Sequence, residues 1–121
     1  IQNTQTLTGI YPINMVMSDR ALTIIDNYKV PPLSEYDSDL GCAWCIPIKI
    51  TSKKSKNGKW FYTIDVIDSN SEVNRLRCWG VNPTKDTIYL NKPYVLKFPN
   101  YNETWGFSTY GAVDKKWMMI G

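Results

Sequence analysis

KITSKKSKNGKWFYTIDVIDSNSEVNRLRCWG, residues 49–80, is a lysine-rich segment followed by two runs of alternating apolar residues. Asn57-Gly58 is a dipeptide typical of a tight hairpin turn, and Ser69-Asn70 marks a second turn. Apolar residues at every second position are typical of half-buried strands. The segment therefore predicts three consecutive antiparallel strands, with a basic loop over residues 52–59 between the first two.

The same pattern extends to both sides of this segment. It predicts five strands, over residues 45–51, 60–67, 72–79, 94–98 and 105–110. Hairpins join the first three, and a longer irregular connection leads to the fourth. We therefore predict an all-β fold, a five-stranded OB-fold (Greek-key) barrel, with an SH3-like barrel as the alternative.

The residues before the strands show a different pattern, which is typical of a helix. Ser18 is a suitable helix N-cap, Asp19 suits the positive end of a helix, and Ala21, Leu22, Ile24 and Ile25 suit one side of it. The two prolines at 31–32 end the helix, and the polar residues that follow predict a linker up to Gly41. The predicted organisation is an N-terminal extension over residues 1–40 and an OB-fold domain over 41–121.

Alternation assigns the two faces of the second and third strands. Trp60, Tyr62, Ile64 and Val66 form a continuous apolar set and are predicted to face the core, together with Leu76 and Cys78. The opposite face then carries Phe61, Thr63, Asp65, Arg75, Arg77 and Trp79. A structural interpretation stays open, in which the arginines pair with Asp65 or Glu72 and the rings pack under the N-terminal extension.

The charge distribution favours binding of a polyanion. The net charge is only +3, but the 11 residues from 49 to 59 contain lysines and no acid. Cations beside exposed rings suit single-stranded nucleic acid, because phosphates meet the charges and bases stack on the rings. The predicted binding residues are Lys49, Lys53, Lys54, Lys56, Lys59, Phe61, Arg75, Arg77, Trp79, Tyr101 and Trp105.

Catalysis is not favoured by the sequence. The chain has no His, no glycine-rich phosphate loop and no metal-ligand cluster, so we predict no cofactor and no metal. A metal-dependent nuclease using Asp65, Asp68, Arg75 and Arg77 is a minor alternative. Cys42 and Cys45 have CxxC spacing but run into a strand, which favours ordinary thiols over a redox or zinc site.

The remaining features concern location. Three cysteines, an odd number, favour a reducing compartment, and no apolar run reaches the length of a membrane span, so we predict a cytoplasmic protein. The chain begins IQNTQ without an initiator Met, which favours a piece of a longer protein.

The run SKNGKWFYTIDVIDSNSEVNRLRCWG resembles the OB-domain segment of bacterial and phage DNA polymerase III alpha subunits. In that family a basic loop ending in Gly-Lys leads into an apolar strand, an acidic turn and a third strand ending at an aromatic residue. YVLKFPNYNETWGFSTY, residues 94–110, is similar to the last two strands of that domain. The resemblance implies a module that holds single-stranded template DNA for a polymerase, with the rest of the polymerase or replisome proteins as further partners. A protein-interaction or scaffolding OB domain and an RNA-binding OB module are the alternatives.

Overall fold

The computed structural model describes residues 17–69, 73–82 and 84–121. These residues form one seven-stranded sheet that curls into a half-barrel, with few helices, so the predicted all-β class is confirmed. In chain order the elements are α1 (Asp19–Tyr28), a 3-10 helix (Leu33–Glu35), β1 (Cys42–Lys54), β2 (Trp60–Ile67), β3 (Asn74–Trp79), β4 (Tyr94–Lys97), β5 (Asn100–Asn102), β6 (Gly106–Tyr110), α2 (Val113–Lys116) and β7 (Trp117–Met119). The strand order across the sheet is β5-β6-β3-β2-β1-β4-β7. Within the described part of the chain, no helix has the length and apolar character needed to span a membrane.

The long strand β1 causes the sheet to curl. Its first residues, Cys42 to Cys45, pair with β4, whereas the part from Ile46 onward pairs with β2. The register with β2 shifts between Pro47 and Lys49, as at a β-bulge, which bends a strand and increases its twist. One strand can therefore belong to both halves of the curled sheet.

The β2–β3 hairpin largely follows the prediction. β2 has the predicted bounds, and its inward side chains Tyr62, Ile64 and Val66 are buried together with Leu76 and Cys78 of β3. Trp60 is the exception, because it is 44% exposed although the alternation placed it in the core. It lies at the first position of β2, where its partner on β1 is the exposed Lys54.

The C-terminal half adds two strands to the five predicted ones. The short β5 lies between the fourth and fifth predicted strands and pairs with β6, and β6 runs parallel to β3. The tail forms α2 and then β7, which pairs with β4 at the opposite edge of the sheet. The indole of Trp117 packs edge-on against Tyr94, with ring centroids 5.6 Å apart, and this contact anchors the tail.

The segment before β1 packs against the barrel. Ser18 caps α1 as predicted, since its hydroxyl accepts a hydrogen bond from the Ala21 amide at 3.1 Å. Leu22, predicted to lie on the apolar side of the helix, is 51% exposed. Ala21 is the helix residue that is buried instead. Leu33 is fully buried in the main core, and the neighbouring Ser34 amide donates to the Asp68 carboxylate at 2.9 Å.

Gly41, immediately before β1, has a backbone conformation that a larger residue would not tolerate. Its φ is +70°, and a Cβ atom there would lie 2.6 Å from Cε1 of Phe98. We expect Gly41→Ala to lower the free energy of unfolding by about 2 kcal/mol, measured by urea denaturation. Gly58→Ala is the matched control, since Gly58 has φ +80° but a Cβ atom there would lie 3.8 Å from Cε of Lys54, an ordinary van der Waals contact. Equal losses in the two variants would contradict a steric role for Phe98.

Candidate functional site

The outer face of the sheet carries a row of large side chains that crosses four strands. Lys53 of β1 pairs with Phe61 of β2, Phe61 with Trp79 of β3, and Trp79 with Tyr110 of β6. The rings of Phe61 and Trp79 are stacked, with centroids 4.2 Å apart and an interplanar angle of 25°. One cation and three aromatic rings are therefore aligned on a single face.

The neighbouring rows on this face are polar. Arg77 lies one row away from Trp79, between Thr63 and Ser108. In the following row Arg75 pairs with Asp65, and its Nε lies 3.0 Å from Oδ1 of that carboxylate. The pairing of Arg75 agrees with the structural interpretation that the sequence left open. Arg75 is thus partly neutralised, whereas Arg77 faces no carboxylate among its described cross-strand neighbours.

A groove with a volume of about 710 Å³ opens beside these rows. We call it the aromatic groove, and its lining residues are Arg77, Trp79, Asn100, Tyr101, Asn102, Trp105, Ser108 and Tyr110. Tyr110, the last residue of the row, therefore lies at this groove. Three of its rings are largely exposed, 61% for Tyr101, 67% for Trp105 and 60% for Tyr110. Exposed rings of this size around one concave surface are a typical feature of ligand-binding sites.

The turn between β5 and β6 fixes the position of Trp105. The side-chain oxygen of Asn102 accepts hydrogen bonds from the amides of Thr104 at 2.8 Å and Trp105 at 3.1 Å. Arg77 donates from Nη1 to the Trp105 carbonyl at 3.1 Å, and its guanidinium carbon lies 5.3 Å from the indole centroid. The indole and the cation are thus held together at the edge of the groove.

The predicted lysines are all exposed, but they do not share one face. β1 extends to Lys54, so Lys53 and Lys54 belong to the strand and not to the loop, which corrects the predicted loop start. Lys49 and Lys53 have the parity of the outer face, whereas Lys54 pairs with Trp60 on the other side, 5.7 Å from its ring centroid. Lys56 and Lys59 lie in the loop, which is closed by the Ser55 amide donating to the Lys59 carbonyl at 2.8 Å.

Tyr101 differs from the other predicted aromatic residues in its orientation. It pairs with Phe107, whose side chain lies on the core side of β6, and the two ring centroids are 5.0 Å apart. Tyr101 nevertheless also lines the aromatic groove. Its ring therefore forms the boundary between the outer face and the end of the barrel.

None of the thiols and carboxylates in the described part of the chain lines this groove. Burial raises the pKa of the Cys45 thiol, with a smaller contribution from Asp68, and burial also raises the pKa of Cys42. Both thiols therefore stay protonated at neutral pH, which disfavours metal binding or redox chemistry by this pair. Residues 17–69, 73–82 and 84–121 contain no group of three or more side chains suited to hold a metal ion.

Four groove residues were not among the predicted binding residues: Asn100, Asn102, Ser108 and Tyr110. Alternation within β6 would have placed Ser108 and Tyr110 on the same face. Which of its two faces meets the groove depends on the parallel pairing of β6 with β3, and this long-range pairing leaves no mark on local sequence.

Comparisons of the chain with protein-family models, with curated proteins and with solved structures found no match.

Proposed function

We propose that this chain is a non-catalytic OB domain that binds single-stranded DNA across its outer face and aromatic groove. The observation that carries the proposal is the aligned row of Lys53, Phe61, Trp79 and Tyr110, which ends at a groove lined by Arg77 and Trp105. Bases stack on exposed rings without regard to sequence, for about 1–3 kcal/mol each. Lysines and arginines beside the rings meet the phosphates that accompany those bases.

The topology supports the OB-fold part of the proposal. The bent strand β1 is shared by two halves of the sheet, since it pairs with both β2 and β4. β3 and β6 are parallel although every other pair of strands in the described sheet is antiparallel. In this proposal β1, β2, β3, β4 and β6 are the five barrel strands, and β5 and β7 are additions. Ligands of OB folds bind on the face of strands 2 and 3 and on the loops beside it, where the aromatic row lies.

The positions of the carboxylates support binding without catalysis. Asp65 is engaged with Arg75, and Asp68 is 1% exposed and accepts a hydrogen bond from the Ser34 amide. A metal-dependent nuclease needs carboxylates that converge on an open site, and these two are committed to structural contacts. The further proposal, that the domain serves a DNA polymerase III alpha-like protein, rests on the sequence resemblance.

The test is a fluorescence titration with single-stranded DNA at several salt concentrations. Tryptophan emission should be quenched on binding, because Trp79 and Trp105 lie where bases would stack. The logarithm of the binding constant should fall linearly with the logarithm of salt concentration, since phosphate contacts release counterions. RNA of the same sequence and duplex DNA are the comparison ligands. Absence of binding to single-stranded DNA at low salt would overturn the proposal, and tighter binding to RNA or duplex would reassign the ligand.

A further inference from the structure

The indole of Trp60 lies outside the proposed outer-face site. Trp60 is the first residue of β2 and Phe61 of the aromatic row follows it, so the two side chains point to opposite sides of the sheet. Trp60 lines a pocket of about 390 Å³ together with Val81, Asn82 and Thr84 of the connection after β3, and we call it the Trp60 pocket. An indole that is 44% exposed at a concave surface is a ring on which a base can stack.

The Trp60 pocket has a cation beside its ring. The exposed Lys54 of β1 pairs with Trp60, and its Nζ lies 5.7 Å from the indole centroid. Asp86 is the one acid among residues 80–93, and its carboxylate accepts a hydrogen bond from the Asn82 amide at 2.7 Å. Asp86 lines a different pocket. An exposed ring beside an exposed lysine therefore occurs on this side of the hairpin as well as on the outer face.

The β1–β2 loop connects the two sites. Lys53 ends the aromatic row, and the next residue, Lys54, lies on the side of the Trp60 pocket. The loop between the strands, residues 55–59, is closed by a backbone hydrogen bond of 2.8 Å between its first and last residues. It carries Lys56 and Lys59 and no acid. A polyanion that leaves the row at Lys53 therefore meets further lysines around the end of the hairpin.

We propose that the bound DNA strand continues around the end of the β1–β2 hairpin and stacks a base on Trp60, with Lys54 meeting the adjoining phosphate. The inference rests on the proposed binding of single-stranded DNA across the outer face, and it extends that site to a second side of the hairpin. Stacking needs only the flat face of a base, so the Trp60 pocket takes any base. It consequently adds affinity only for strands that are long enough to extend beyond the row.

Oligomer length separates the two sites. The four strands of the row span about 14 Å, because neighbouring strands lie about 4.8 Å apart. About six nucleotides at about 3.4 Å each cover this distance. A strand of about 16 nucleotides, the upper end of the usual site size of an OB fold, extends beyond it. We expect the longer oligo-dT to quench tryptophan emission more strongly at saturation, because it also covers Trp60. Salt titrations that address the outer face alone use the shorter oligomer.

The main variant is Trp60→Leu, which removes the ring and keeps an apolar side chain at the pocket. Its affinity for the longer oligomer should fall about tenfold, as for the loss of one stacked base, and its affinity for the shorter one should stay within about twofold. The additional quenching by the longer oligomer should disappear as well. Tyr28→Leu is the matched control and should leave both affinities unchanged, since Tyr28 is 74% exposed on α1 and lines neither the aromatic groove nor the Trp60 pocket.

Lys54→Gln tests the same contact without removing the indole. Lys54 is exposed, so this variant should fold, and its salt slope for the longer oligomer should decrease by about 0.7, the value for one phosphate contact. If Trp60→Leu does not fold, this slope alone is the test, and an unchanged slope would overturn the second site. Unchanged affinity of Trp60→Leu for the longer oligomer, or equal weakening of both oligomers with a lower melting temperature, would do the same. Absence of binding of both oligomers to the unmodified chain would overturn the proposed function as well.

Discussion

Leu33→Ala should lower the free energy of unfolding by about 2–5 kcal/mol, the usual cost of removing most of a fully buried leucine side chain. Leu33 has no exposed surface and belongs to the main core together with residues of β1, β2 and β3. Small domains are stable by only about 5–15 kcal/mol, so this single substitution removes a large part of the total. Chemical denaturation monitored by tryptophan fluorescence measures the effect.

Leu40→Ala is the matched control for this substitution. Leu40 lies in the same segment before β1 but is 49% exposed, so its truncation should change the stability by less than about 0.5 kcal/mol. The difference between the two variants reports whether the segment is docked in solution. Equal effects would contradict the packing of the 3-10 helix against the barrel.

The β2–β3 hairpin could be predicted from sequence because local information determines it. Two turn signals fix the ends of β2, and alternation fixes which side chains point inward. Tyr62, Ile64, Val66, Leu76 and Cys78 are all buried as expected. A shift of one residue would have exposed this entire set, so the pattern allows one register only.

The rest of the fold depends on contacts between distant residues. No helical or strand periodicity marks Leu33, which follows two prolines. Its burial depends on the docking of the 3-10 helix, whose Ser34 amide donates to Asp68 just after β2. The alternation also cannot show where a barrel ends, which explains why Trp60 was assigned to the core although it is 44% exposed. Local patterns define faces, whereas tertiary pairing decides which faces are covered.

The candidate site shows the same division. The outer face of β2 and β3 could be assigned from alternation, and the structure places Phe61 against Trp79 there. The groove beyond them needs the parallel β3–β6 pair, which brings Tyr110 into the row, and the turn that aims Trp105. The lysines divide between two faces because the pleat continues through β1 to Lys54. A cluster that is compact in sequence is therefore distributed around the hairpin.

Removal of the lysines at one end of the aromatic row should have a large effect on DNA binding. Lys53 ends the aromatic row, and Lys56 and Lys59 lie in the loop that follows it. Replacement of all three by Gln removes three positive charges from this end of the outer face. If each one contacts a phosphate, the salt slope for single-stranded DNA should decrease by about 2, because each contact contributes about 0.7. That slope corresponds to about a hundredfold loss of affinity at 0.1 M salt.

A second triple variant separates local contacts from net charge. Lys85, Lys92 and Lys115 are exposed and lie outside the outer face and the aromatic groove, so their replacement by Gln changes the net charge equally. At 0.1 M salt the Debye length is about 10 Å, so lysines remote from the strand act only through a screened field. We expect this control to retain most of the slope and affinity in the same fluorescence titration. Equal losses in the two variants would mean that net charge drives binding and that Lys53, Lys56 and Lys59 have no special position. A loss confined to the first variant would locate the phosphates beside the aromatic row.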